Sequence, residues 1–475
     1  MCVFRRGGGR RGERGVLRCR PTTSPQPLRP KGKHMAEAST NAPDLAHKGS
    51  AGGGWLQSAR GLVSAAGIDT RLLGMGVALV VIWIAFHHMS GGTFLTPRNM
   101  WNLSVQTATV AIMATGMVLV IVSRNIDLSV GSMLGLIGMV IAMVQAEWLP
   151  GIIGFDHPLT WVIALAAGVG LGALLGGLQG FIVAYVGVPA FIVTLGGLLV
   201  WRGAAWAMAS GRTIAPMDST FQLLGGGARG SIGEVASWAV ALVTSLVIAG
   251  VLINNRRQRR KFGFPLRARW AELTLWTIGT GLVVAAVWVA NNYFWPDALA
   301  RQYAAAQGIP WPEGGLLIPI GIANPVLLAI GVAIVMTFIA TRRRFGRYVF
   351  AIGGNPEAAE LGGINTRMTV LKAFIVMGIL VAIAAAVSTA RLNAATSGLG
   401  QLSELYVIAA AVIGGTSLSG GIGTIPGAVL GAVLMQSLQS GMVLMGVDAP
   451  LQDIVVGLVL VAAVAVDTIY RRRTA

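Results

Sequence analysis

The sequence predicts an all-α fold: a polytopic membrane protein with about ten to twelve transmembrane helices. Three observations carry this. The 475 residues are 54% hydrophobic and only 11% charged, less than half the charged share of an ordinary soluble chain. Apolar segments on the scale of a helical crossing, about 20 residues, recur from residue 72 to residue 467. The strict alternation that a membrane β-barrel requires is absent.

The chain opens with a tail, residues 1–70. Its first 34 residues hold eight Arg and two Lys against one Glu, half of the net charge of +18. Such a Gly/Pro/Arg-rich stretch cannot bury a core and is expected to be disordered. It lacks the apolar centre of a cleavable signal peptide. Met35 follows it, so residues 1–34 read as a start-site artefact, the alternative being a genuine cytoplasmic tail. Both cysteines, Cys2 and Cys19, lie there. The remaining chain therefore offers no disulfide and no thiolate metal site. His87 and His88 are adjacent, point to different helix faces, and read as interfacial rather than metal-binding.

A transmembrane domain occupies 71–475. Its apolar segments fall near 72–88, 103–123, 129–147, 160–184, 189–210, 235–253, 273–291, 316–340, 369–389, 404–418, 425–445 and 451–467. Segment 404–418 is short for a full crossing. With the N-terminus in the cytoplasm, alternation puts three basic stretches inside: the loop from Arg256 to Arg269, the island Arg342-Arg343-Arg344 with Arg347, and Arg471-Arg472-Arg473. That asymmetry is the one expected of cytoplasmic loops, and it places both termini inside. Gly172, Gly176 and Gly180, Gly131 and Gly135, and Gly427 and Gly431 recur at four-residue spacing, the pattern of closely packed membrane helices.

Two stretches break the apolar pattern. Arg124-Asn125-Ile126-Asp127-Leu128-Ser129 sets a charge pair and an Asn between two apolar segments with almost no loop. Charges near membrane depth face a cavity or a partner, or they cap helix ends, with Asp127 or Ser129 as N-cap and the arginine snorkelling. Gly414 to Gly427 is too rich in Gly, Ser and Thr for a regular helix. It reads as an unwound or re-entrant element, admissible at depth only if buried in protein or lining a cavity. Candidates for a translocation path are Asn125, Asp127, Ser129, Thr194, Thr416, Ser417 and Ser419, with Trp201 as an aromatic platform.

The island itself, 341–368, is a polar loop between apolar segments. After the arginines come a Gly-Gly-Asn-Pro turn and a short Ala-rich stretch led by Glu357. None of the five lysines follows a phosphate-binding G-x-x-x-x-G frame. No carboxylate pair sits in mid-span, as a proton-coupled transporter would often show. The chain thus carries neither its own ATPase nor an ion-coupling site, so energy comes from a partner or the pathway is passive.

Four motifs in order resemble the permeases of bacterial ABC importers for monosaccharides, the ribose/xylose permease family. They are Gly116–Val122 continuing through Ile126–Ser132, Phe345-Gly346-Arg347 with Ala351–Asn355, Glu357-Ala358-Ala359 with Gly362–Asn365, and Val412–Leu418. The likeness runs from about residue 70 to the C-terminus. Pro189–Leu195 and an extra helix pair around a basic loop, 235–291, place it nearest the xylose branch. The resemblance implies a type II ABC-importer permease in a bacterial inner membrane, moving D-xylose or another small polar solute (ribose, galactose, inositol) inward by alternating access. It implies a permease homodimer, cytoplasmic ATP-binding subunits and a periplasmic sugar-binding protein. ATP would be bound only by the partner, with no cofactor, metal or nucleic acid on this chain. Glu357, Ala358, Ala359 and Gly363, preceded by Asn355, would form the helix that couples to the ATPase. A self-sufficient secondary transporter or a channel is the remote alternative.

Overall fold

The computed structural model describes residues 70–474 apart from 267; the expectations for the tail and its start site lie outside the described residues. The chain is helical, and β-structure among the described residues is limited to isolated bridges. In order, the α-helices longer than four residues are α1 (Thr70–Met89), α2 (Pro97–Val122), α3 (Val130–Met143), α4 (Thr160–Phe181), α5 (Ala190–Ala209), α6 (Gly233–Lys261), α7 (Arg269–Asn291), α8 (Asp297–Gln307), α9 (Asn324–Arg342), α10 (Arg344–Gly354), α11 (Pro356–Leu361), α12 (Thr366–Leu392), α13 (Ser403–Ile413), α14 (Ile425–Leu444) and α15 (Ala449–Thr474). A π-turn prolongs α3 (Val144–Trp148) and another α4 (Ile182–Val186).

Ten of these helices are long and apolar enough to cross a membrane; α13, and α15 over Ala449–Ala465, are shorter apolar helices. Segment 404–418 therefore does not form a crossing helix: α13 stops at Ile413. The chain instead enters the bundle as a non-helical stretch, 393–402. Ala395 pairs with Ile214, the Leu399 carbonyl approaches Gly135, and Gly400 lies against Gly131. Segment 316–340 is likewise helical only from Asn324, because Pro319 and Gly321 hold the chain in bridges to Phe294 and Gly233. In contrast, α2 begins six residues before the apolar run, at Pro97. Proline suits that first-turn position because its missing N–H has no helical partner there.

Helix α2 is the hub, buried on nearly every side along its apolar length, and α12 and α14 pack around it. The glycine stripes do what their spacing predicts. Gly172 and Gly176 of α4 lie against the backbone of Gly378 and Phe374 in α12, and Gly431 of α14 lies against the carbonyl of Ala410. A side chain at any of these positions would collide with backbone, which cannot move aside cheaply. Close backbone approach is the main packing gain available in lipid, where apolar burial between helices gives little.

Candidate functional site

Helix α11 is built as a short exposed peg. Asn355 is its N-cap, its Oδ1 accepting from the Ala358 amide at 3.0 Å, and Pro356 takes the first helical position. Gly363 ends it at φ +79°. The Gly363 amide donates to the Glu360 carbonyl at 2.9 Å and the Ile364 amide to the Ala359 carbonyl at 3.0 Å, the paired bonds of a left-handed glycine cap. Ala359 alone is buried; Glu357, Ala358 and Gly363 are exposed. Leu361 is 91% exposed, an apolar tip that the Glu-Ala-Ala reading missed although it lies in the same motif. The preceding α10 turns Gly346, Val349, Ile352 and Gly353 inward and Arg344 and Arg347 outward.

Both breaks in the apolar pattern converge on the base of this peg. Arg124, itself at φ +65°, donates from Nε to the Gly353 carbonyl and from Nη2 to the Gly354 carbonyl, each at 2.8 Å. It caps the C-terminus of α10, where a cation also suits the helix dipole. The Gly421 amide donates to the Val122 carbonyl at 3.0 Å. Gly353 lies so close to the Val122 carbonyl and the Gly421 amide that no side chain fits between them. Three segments distant in sequence thus lock the end of α2, the end of α10 and the loop 414–424 together.

The seven path candidates lie beside this junction, and most of their hydrogen bonds stay within the fold, although Asp127 Oδ2 and Thr416 Oγ1 are buried without a partner. Asn125 Nδ2 donates to the Ser123 carbonyl at 2.9 Å. Asp127 Oδ1 accepts from the Ser129 amide at 2.9 Å and from its hydroxyl at 2.7 Å, while Ser129 also meets the Gln179 amide of α4 at 2.9 Å. Burial pushes the Asp127 carboxyl up, and the two Ser129 bonds oppose that shift. Thr194 donates to the Ile126 carbonyl at 3.2 Å. Ser417 and Ser419 share a hydrogen bond of 2.7 Å, and buried Thr416 Oγ1 has no protein partner. The Trp201 indole nitrogen is likewise buried without a partner, facing Gly197.

None of the seven lines the large polar cavity, which lies towards the other end of α2. It holds about 650 Å³. Helix α2 contributes Asn99, Asn102, Gln106 and Thr109, α14 contributes Gln436, Gln439 and Ser440, α12 Ser388 and Arg391, and the stretch from 401 to α13 adds Gln401 and Tyr406. Gln436 Nε2 donates to Gln106 Oε1 at 3.2 Å and to Gln439 Oε1 at 2.7 Å; Ser440 donates to Asn99 Oδ1 at 3.2 Å. Amides and hydroxyls, each both donor and acceptor, can exchange hydrogen bonds with a polyhydroxylated solute. Among the described residues no Asp or Glu lines the cavity, and Arg391 is its one charged lining residue. A signal for it exists in the sequence: polar residues at 99, 102, 106 and 109, and at 436, 439 and 440, recur on one face of helices that are otherwise apolar.

A bundle of membrane-crossing helices around a polar cavity, with an exposed capped peg at the far end of its central helix, defines the class: a multi-pass transport permease. The chain belongs to the family whose model is described as the permease component of a branched-chain amino acid transport system, matched over residues 99–464. It is 37% identical to the Escherichia coli K12 xylose transport system permease protein XylH over 407 residues, covering 86% of this chain and 94% of the relative. Identity is also 37% to the Haemophilus influenzae XylH, over 86% of this chain and 98% of the relative, and 30% to the E. coli ribose import permease RbsC, over 82% and 92%. The family description names amino acids, whereas these relatives carry sugar names. No solved structure matches the chain.

Proposed function

We propose that this chain is the translocating subunit of an ATP-driven importer for D-xylose, paired with a second copy of itself in a bacterial inner membrane. The observation that carries the substrate is the 37% identity to xylose permeases over nearly their whole length, against 30% for the ribose permease. The amide-rich lining of the cavity, in which Arg391 is the one charged residue, suits a neutral sugar that must be held briefly and released. A carboxylate-free cavity gives no foothold to cations.

In this reading the exposed arginines around α10 face the cytoplasm, as basic loops do. The peg α11 then seats in a cytoplasmic ATP-binding subunit, and the cavity takes sugar from a periplasmic binding protein. Movement of the peg is passed through the Arg124–Gly353–Gly421 junction to the ends of α2 and α14, whose other halves wall the cavity. Asp127, Ser129, Thr194, Thr416, Ser417 and Ser419 act as the packed hinge region below the cavity, where sugar must pass during the cycle. ATP hydrolysis stays on the partner, and this chain only moves.

The test is uptake of labelled sugar into proteoliposomes holding this chain, its ATP-binding subunit and the sugar-binding protein. D-Xylose should accumulate with internal-side ATP and not without it. Accumulation of ribose in preference to xylose would overturn the substrate, and uptake independent of ATP would overturn the mechanism.

A further inference from the structure

The α6–α7 hairpin carries a feature that transport does not use. We infer that its tip is a binding site for the phosphodiester headgroup of an anionic phospholipid. The inference needs only that the chain crosses a membrane, and so stands apart from the sugar reading.

Helix α6 has 29 residues, about 43 Å at 1.5 Å per residue, against a hydrocarbon core of about 30 Å. Its apolar part ends near residue 253, so Arg256 to Lys261 reach the headgroup layer. There Arg256, Arg257, Arg259, Arg260 and Lys261, with Arg269 at the start of α7, accompany one carboxylate, Glu272. Arg256 Nη1 meets Glu272 Oε2 at 2.6 Å and ties the two helices together. Arg259 Nη1 donates to the Pro265 carbonyl at 3.2 Å, and the Phe264 amide to the Arg259 carbonyl at 2.9 Å, folding the loop back on the helix end. Between them lies a cavity of about 320 Å³ lined by Asn255, Gln258, Arg259, Phe262 and Phe264, with the Arg256–Glu272 pair.

Charge and apolarity are mixed here as a lipid interface demands. Phe262 is 67% exposed and Phe264 61%, beside cations that a soluble surface would not ring with aromatics. Amphipathic interfacial segments pair such residues, cations for phosphate and aromatics for the glycerol and upper acyl region. The hairpin also has little protein to lean on near its tip. On α6 only Ser237 and Ala241 are buried, both at the opposite end, and Leu242, Val243, Leu246 and Val247 are exposed. The cationic cavity thus continues a surface that already faces lipid, which favours a phospholipid over a docked protein.

The full-length protein, purified in mild detergent and delipidated stepwise, is analysed by native mass spectrometry after equilibration with equal phosphatidylglycerol and phosphatidylcholine. Wild type is expected to keep phosphatidylglycerol selectively. The triple variant Arg257→Gln/Arg259→Gln/Arg260→Gln should lose at least about ten-fold of that retention, and the corresponding triple Lys variant should keep most of it. Should the triple Gln variant fail to accumulate, the exposed pair Arg257→Gln/Arg260→Gln carries the test, with a smaller loss expected. Undiminished retention in the Gln variants, equal retention of phosphatidylcholine, or displacement of the lipid by millimolar inorganic phosphate would each overturn the inference. So would variants that keep the lipid but lose association with the ATP-binding subunit, which would assign the tip to a protein.

Discussion

Removing both caps of α11 should uncouple the permease without unfolding it. The helix has only six residues, far below the length at which a helix is stable alone. Two local devices hold it. The Asn355 cap is worth about 1 kcal/mol, and an L-residue forced into the left-handed conformation of Gly363, at φ +79°, costs about 1–2 kcal/mol. Asn355→Ala with Gly363→Ala therefore shifts the peg towards frayed forms by about 2–3 kcal/mol, or ~30- to 150-fold in its folding equilibrium. Its one buried residue is Ala359, so the bundle itself should be little affected. ATP-dependent uptake in proteoliposomes should fall at least about ten-fold, with membrane insertion and melting temperature near wild type. Asn355→Asp and Gly363→Asn, which retain a cap and tolerate the left-handed region, should keep most activity. Wild-type uptake by the double Ala variant would refute the reasoning.

Three further outcomes are expected. Gly353→Ala places a methyl against the Val122 carbonyl and the Gly421 amide and should cost about 1–3 kcal/mol of stability, read as a lower melting temperature. Gly354→Ala beside it enters open space and should not. In the cavity, Gln436→Ala removes hydrogen bonds to Gln106 and Gln439 and should lower sugar uptake several-fold, about 1 kcal/mol per lost bond, while the peg still binds its ATPase. Asp127→Asn should raise the melting temperature at pH 7–8 and leave it unchanged near pH 4. Burial holds the folded carboxyl above its ordinary 3.8, so the protonated form favours folding, and stability is lost as pH rises through the raised value. A parallel pH profile for wild type and variant would count against that assignment.

What could be read from residues alone was whatever local chemistry decides. Glycine spacing on α4 and α14 implied backbone contact because no other residue permits it, and the Asn355-Pro356 and Gly363 signals bounded α11 because they act within one helical turn. The Gly/Ser/Thr-rich stretch from Gly414 was legible as non-helical on composition, although the helix resumes at Ile425, before Gly427. Three features were not legible. Arg124 reads locally as a snorkelling end, and only the fold brings Gly353 and Gly421 to it. The chain from 393 to 402 enters the bundle without a helix because the glycines at 131 and 135 on α3 make room for its backbone. The cavity does not stand out in the sequence because its amides are dilute within apolar helices. The two conspicuous breaks hold polar groups that bond mostly to the fold itself.

The proposed mechanism stands on α11 as the place where an ATP-binding subunit grips this chain. Beyond the tail cysteines Cys2 and Cys19 the sequence has none, so their replacement gives a cysteine-free background. Leu361→Cys should then cross-link to a cysteine in the cleft of the ATP-binding subunit, with a yield that changes on adding ATP. Gln439→Cys, in the cavity at the other end of the bundle, should not cross-link. Absence of any link from position 361 in a complex that still transports sugar would contradict the account.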